Sequence, residues 1–131
     1  MSDASSRFNA VIESVQDDQV VVSVPGNAYR IRLQWAGDGT PEAGRLPAEI
    51  HAHALRVHPA SAGGRFIEPV NGAPRIVAGT IEAVDTQAAI VALRSVVPMR
   101  VALADRGDLE QCTVGATVNF HVQSDSSLHP A

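Results

Sequence analysis

The chain carries one β-rich pattern twice. The segment Phe8–Leu33 reads FNAVIESVQDDQVVVSVPGNAYRIRL, and the segment Val77–Leu103 reads VAGTIEAVDTQAAIVALRSVVPMRVAL. Self-similarity at a period of about 70 residues constrains the architecture before any local feature does. The repeat predicts two copies of one unit. The matched positions are Ile12/Ile81, Glu13/Glu82, Val15/Val84, Val22/Val91, Arg30/Arg100, Leu33/Leu103 and, nearer the end of each copy, His53/His121.

Alternating apolar and polar residues run through both copies, which is typical of half-buried strands. Turn residues such as Asp17-Asp18, Pro25-Gly26-Asn27 and Asp85-Thr86 separate the runs. A helical turn is indicated only near 105–111. The pattern therefore predicts an all-β protein. The predicted strands are 8–15, 20–24, 29–33, 47–57, 65–67, 76–84, 88–93, 99–103 and 115–123.

Two architectures fit four or five short strands repeated once. We favour two small barrels of the oligonucleotide/oligosaccharide-binding (OB) type in tandem, because domain boundaries tend to fall in Gly/Pro-rich segments such as 59–75. The alternative is one barrel of eight to ten strands around a pseudo-twofold axis. The expected organisation is a disordered lead-in (1–7), a first barrel (8–58), a bridge (59–75), a second barrel (76–123) and a flexible tail (124–131).

Composition narrows the classes of partner. The net charge of −4 argues against general attraction to nucleic acid or to anionic membranes. Neither a signal peptide nor an apolar run long enough to span a bilayer is visible, so a cytoplasmic protein is expected. Units this small expose apolar surface and strand edges, which predicts a homo-oligomer or a partner protein. Cys112 is the sole cysteine, which excludes an intrachain disulfide.

The second copy resembles the TOBE/Mop-like domains, small barrels that occur in tandem in molybdate-binding proteins and on transporter nucleotide-binding subunits. The resemblance lies in GTIEAV (Gly79–Val84) and VGATVNFHV (Val114–Val122), and it implies an OB-type fold. The binding motifs of that group are replaced here by GAPR (Gly72–Arg75) and TQAAI (Thr86–Ile90). The resemblance therefore transfers no oxyanion site to any residue of this chain.

Two histidines are candidates for metal binding. His51 and His53 stand two residues apart on one predicted strand, so they project from the same face and could present two imidazoles to Zn²⁺. Glu49 or His58 would be the third ligand. The alternative is that both histidines face solvent, opposite the apolar residues that alternate with them.

All ten basic residues are arginines, which suit anionic ligands because the guanidinium donates two parallel hydrogen bonds. Arg30, Arg100 and Arg65, with Arg32 and Arg75, are the candidates for an anion-binding surface. The competing use is cross-strand pairing of Arg30 and Arg100 with Glu13 and Glu82. Trp35, beside a Gly-rich loop, is a candidate for stacking on single-stranded nucleic acid, although that class is disfavoured by the scarcity of aromatic residues.

No catalytic motif is visible in the sequence, and no cofactor is expected. The sequence predicts a non-enzymatic β-barrel module for binding or assembly that self-associates. The alternatives are a small-oxyanion or metal-binding protein and, third, a protein that binds single-stranded nucleic acid.

Overall fold

The computed structural model describes residues 6–59 and 64–131, which form eleven strands and one short 3₁₀ helix, Arg106–Gln111. Most of the predicted lead-in and Gly63 of the bridge lie outside the described residues. The strands are β1 (Phe8–Gln16), β2 (Gln19–Ser23), β3 (Arg30–Trp35), β4 (Gly44–Pro59), β5 (Phe66–Glu68), β6 (Asn71–Gly72), β7 (Ile76–Asp85), β8 (Ile90–Arg94), β9 (Pro98–Leu103), β10 (Thr117–Val122) and β11 (Ser127–Pro130).

The all-β prediction is confirmed, and five strands close into a small barrel. β1 pairs with β2, β2 with β3, β3 with β11, β11 with β4, and β4 again with β1. Only the contact between β3 and β11 is parallel. Closure removes the exposed strand edges, and the arrangement is consistent with an OB-like fold.

The long strand β4 also belongs to a second circuit of pairings. Its later part pairs in parallel with β9 and antiparallel with β10. β10 pairs with β7, β7 with β8, and β8 with β9, so these contacts return to β4. One 16-residue strand thus serves both circuits. Because β4 takes part in both circuits, the two circuits are not separated at the bridge, as the sequence had suggested.

The C-terminal segment differs from the sequence-based expectation. Residues 124–131 were expected to form a flexible tail, but Ser127–Pro130 forms β11 between β3 and β4. Leu128 is fully buried there. The segment is ordered because its backbone completes the first barrel: the amides of Gln34 and Ala36 donate to the carbonyls of Ser126 and Leu128.

A bulge occurs at the same place in both circuits, but it aligns the copies differently from the sequence match. β1 pairs Ile12 with Val22, and β7 pairs Ile81 with Leu93, each just before a register shift. Leu93 therefore occupies the position of Val22, where the sequence match had placed Val91. The reason is the β7–β8 turn, in which Asp85 pairs with Ile90, whereas Gln16 pairs with Gln19 in the shorter β1–β2 turn.

The same shift changes the partner of Arg100. Arg100 pairs with Ala92 across β8–β9, and Arg32 pairs with Val21 across β2–β3. Ala92 and Val21 in turn face Ala83 and Ser14, the first residues after each bulge. Arg32 is therefore the counterpart of Arg100, whereas the sequence match had selected Arg30.

Small and branched aliphatic residues fill one continuous core, as the low aromatic content requires. Phe120 is the one fully buried aromatic side chain among the described residues.

The predicted helical turn near 105–111 is confirmed as the 3₁₀ helix, whose first turn is capped by the Asp105 carboxylate accepting from the amide of Gly107. Within the described part of the chain, no helix is both long and apolar enough to cross a membrane.

Candidate functional site

A cleft of about 580 Å³ opens on the outer face of β8 and β9, next to the β7–β8 turn. We call it the Arg100 cleft. Ala83, Ala92 and Arg100 lie side by side on three neighbouring strands, so two methyl groups leave room beside one long cationic side chain. The lining residues are Ser6, Glu49, Ala83, Val84, Asp85, Thr86, Gln87, Ile90, Ala92 and Arg100.

The turn that forms one wall of the cleft is held in place by hydrogen bonds. The Asp85 carboxylate accepts from the amides of Gln87 and Ala88, at 3.0 and 3.1 Å. From outside the turn, the Arg106 guanidinium donates to the carbonyl oxygens of Thr86 and Gln87, at 2.5 and 3.0 Å. These bonds fix the turn backbone and leave the Thr86 and Gln87 side chains at the cleft.

Arg100 keeps donors for a ligand. Its Nη1 lies 3.7 Å from Oε1 of Glu49, and 43% of its side chain is exposed. The same Glu49 oxygen lies 3.0 Å from Nε2 of His51, so the carboxylate is shared between two partners. A guanidinium has five N–H donors, and one long contact to a shared carboxylate leaves most of them available.

Two histidines stack beside this carboxylate. The His51 and His129 rings lie 3.7 Å apart between centroids, and Nε2 of His129 is 2.8 Å from the Ser127 hydroxyl oxygen. Burial lowers the pKa of His129 below its ordinary value, the adjacent His51 and Arg100 lower it further, and Glu49 partly opposes the change. The stack joins β4 to β11, the strand that closes the first barrel.

We expect acid to weaken the fold through His129. Well above pH about 6.5 the imidazole is neutral in both the folded and the unfolded chain, so its protonation does not oppose folding. As the pH falls through that value, the unfolded chain takes up a proton that the folded chain binds only at lower pH, and the free energy of unfolding decreases. Urea titrations between pH 7 and 5 would measure this decrease.

The variant that checks this assignment is His129→Gln, which should reduce the decrease in the free energy of unfolding between pH 7 and 5. If His129→Gln kept the slope of the parent protein, the assignment of the acid sensitivity to His129 would be wrong.

The predicted arginines do not come together at one surface. Nε of Arg30 lies 2.9 Å from the Glu13 carboxylate, so these two residues pair as expected, although β2 lies between their strands β3 and β1. Glu82 pairs with Arg94, at 2.7 Å, where the sequence match had suggested Arg100. Arg65 is exposed on the segment before β5. Of the arginines predicted to bind an anion, Arg100 lines this cleft, whereas Arg75 lines a second cleft elsewhere on the surface.

Trp35 lies apart from these arginines and is engaged within its own loop. The indole Nε1 donates to the carbonyl of Gly39 at 3.1 Å, and the ring packs against the core. Its face is therefore only partly available for stacking on a base.

The two candidate metal ligands have separate partners. His51 contacts Glu49 and His129, whereas Nδ1 of His53 lies 3.2 Å from the Asp125 carboxylate. His58, a candidate third ligand, packs edge-on against His121. Within residues 6–59 and 64–131, no three His, Cys, Asp or Glu side chains are grouped so that they could hold a metal ion. The sequence could not have indicated His129, because that residue fell in the segment expected to be flexible.

Comparisons of the chain with protein-family models, with curated proteins and with solved structures found no match.

Proposed function

We propose that this protein is a non-enzymatic binding module whose ligand occupies the Arg100 cleft. The observation that carries the proposal is the position of the cleft. It lies over the second and third strands of a five-stranded circuit and beside the turn between its first and second strands. OB-type barrels bind their ligands on this face and at this turn.

The cleft favours a small hydroxylated ligand that carries one oxyanion. Arg100 supplies the donors for the anion, and its planar fork suits a phosphate or carboxylate. Asp85, Thr86 and Gln87 at the turn offer acceptors and donors for hydroxyl groups. The carboxylates of Glu49 and Asp85 disfavour a ligand that is anionic throughout, which speaks against a nucleic-acid strand.

Binding is a better account of this cleft than catalysis. The Ser6 hydroxyl donates to the Met99 carbonyl, and the Glu49 carboxylate is shared by His51 and Arg100. The Cys112 thiol is buried and does not line the cleft. Burial raises its pKa, with a further contribution from Asp108, which disfavours the nucleophilic thiolate.

Glucose 6-phosphate is a suitable probe, with glucose and inorganic phosphate as its two halves. We expect saturable shifts of the Thr86, Gln87 and Ala92 amide resonances, with tighter binding of glucose 6-phosphate than of either half. Arg100→Gln should weaken this binding by about tenfold or more, because it removes a charge-assisted hydrogen bond.

The matched control is Arg32→Gln, which changes the corresponding arginine of the other circuit and should leave the affinity unchanged. Equal affinities of the Arg100→Gln and parent proteins would contradict the proposal, as would a response confined to resonances away from the cleft. Titrating the protein with a single-stranded oligonucleotide in the same way would test the nucleic-acid alternative at Trp35.

We also propose that the two circuits are two OB-type units derived by duplication, with their closing strands exchanged. The matched bulges in β1 and β7 and the matched parallel contacts, β3 with β11 and β9 with β4, support this. A kinship with TOBE/Mop-like domains rests on the sequence resemblance alone. Metal binding at His51 and His53 and self-association stay predictions. The closed circuits weaken the case for association through open strand edges.

A further inference from the structure

A second cleft, of about 660 Å³, lies where β4, β10 and the start of β7 meet. We call it the Leu55 cleft. It shares no lining residue with the Arg100 cleft. Its lining residues are Leu55, Arg75, Ile76, His121, Val122, Gln123 and Ser124.

A bulge in β4 presents Leu55 to this cleft. His121 pairs with Arg56 and Val122 pairs with Ala54, so Leu55 is the extra residue and has no partner on β10. Bulges redirect side chains out of the regular alternation. Ala54 and Val57 are both buried although they are three residues apart, so the bulge leaves Leu55 and Arg56 as two successive exposed residues, and Leu55 is 51% exposed. The β4–β11 contact of the first circuit pairs without such a shift, so this feature belongs to one circuit only.

The polar side of the cleft is cationic. Arg75 is exposed, and no carboxylate in the described ranges lies within ion-pair distance of it. His121 stands beside it, with its ring edge-on to His58 at 5.1 Å between centroids. Among the residues that the structure describes, no acidic side chain lines the cleft. An arginine without a carboxylate partner beside an imidazole attracts an anion.

The frame around these side chains is built from paired backbone. The Val122 amide donates to the Arg75 carbonyl at 2.9 Å, and the Gln123 amide donates to the His53 carbonyl at 2.8 Å. The Arg75 and Val122 backbones are therefore held at a fixed separation before any ligand arrives. Preorganisation of this kind reduces the ordering cost of binding.

We infer that the Leu55 cleft is a second binding site, specific for a small organic anion with an apolar body. The anionic head would contact the Arg75 guanidinium and the His121 imidazole. The hydrocarbon body would cover Leu55 and Ile76. The ligand class thus differs from the hydroxylated anion proposed for the Arg100 cleft, and the two sites are independent.

Hexanoate is the probe for this site, compared with acetate and with hexan-1-ol. The full-length protein would be titrated while the Leu55, Gln123 and Ser124 amide resonances are followed. We expect hexanoate to bind saturably and more tightly than acetate, which lacks the body, and than hexan-1-ol, which lacks the charge. The difference from acetate should reach about tenfold or more, because hexanoate has additional methylene groups to bury.

Three variants make the assignment specific. Arg75→Gln should weaken hexanoate binding by about tenfold. Leu55→Ser should bring the affinity for hexanoate close to that for acetate. Arg100→Gln should leave hexanoate binding unchanged, which separates this site from the proposed function. The inference is overturned if hexan-1-ol binds as tightly as hexanoate, if Arg75→Gln binds hexanoate as the parent does, or if the shifts map to the Arg100 cleft. The comparison of the three ligands on the parent protein needs no variant to fold.

Discussion

Replacing Gly79 with alanine is expected to lower the free energy of unfolding by about 3 kcal/mol, at the upper end of typical overpacking costs. A Cβ added at Gly79 would stand 2.8 Å from the carbonyl carbon of Arg94 and 3.0 Å from Cα of Ser95, and closer still to the Arg94 carbonyl oxygen. These atoms belong to the backbone at the end of β8 and the start of the β8–β9 connection, so no side-chain rotation can relieve the overlap. Urea unfolding followed by circular dichroism would measure the loss.

Gly64→Ala is the matched control for this substitution. A Cβ there meets no atom of residues 6–59 and 64–131 within 4 Å, and the Gly64 backbone does not lie in the left-handed region. We expect the free energy of unfolding to change by less than about 0.5 kcal/mol. If Gly79→Ala were as stable as Gly64→Ala, then the close approach of the β8–β9 connection to β7 would be wrong.

Replacing Leu128 with alanine is expected to cost about 2–5 kcal/mol, the range for truncating a fully buried leucine. Leu128 is fully buried and pairs with Trp35 on β3 and Ile50 on β4. It therefore fills the part of the barrel that the C-terminal strand closes. Thermal and urea unfolding of the full-length variant would measure the change.

The control for Leu128 is an apolar residue of similar size that the fold leaves in solvent. Val114 is 61% exposed, and Val114→Ala should change the free energy of unfolding by less than about 0.5 kcal/mol. Equal effects of the two substitutions would mean that the C-terminal segment does not pack into the barrel.

The strand content was predictable from the sequence because both copies alternate apolar and polar residues. β2, β8 and β9 agree with the predicted runs to within two residues. The single long strand β4 was not predictable to its full extent, since its first residues, Gly44 and Arg45, read as part of a loop. Their strand conformation depends on pairing with β1, which is a tertiary contact.

The closing strand β11 left the weakest signal in the sequence. Its four residues, Ser127 to Pro130, contain a single aliphatic side chain and end in proline, which is typical of a frayed terminus. Two neighbours, β3 and β4, satisfy its backbone and bury Leu128. A segment this short is ordered by the groove that receives it, and the sequence of the segment does not encode that groove.

The candidate site was predictable only in part, because the two copies do not align residue by residue without a gap. Arg100 was selected from the repeat, and it does line a cleft. The repeat paired it with Arg30, however, because an ungapped match cannot register the longer β7–β8 turn. That longer turn supplies Asp85, Thr86 and Gln87 to the cleft, so the difference in length that misled the alignment also creates the site.

The first barrel is closed by a strand from the other end of the chain, and hydrogen exchange tests this closure directly. The Gln34 and Ala36 amides donate to the Ser126 and Leu128 carbonyls. Under native conditions we expect these two amides to exchange only through global unfolding, with the protection of core amides such as Val22. If Gln34 and Ala36 exchanged as rapidly as amides in an unstructured peptide, while Val22 stayed protected, the C-terminal strand would not close the barrel.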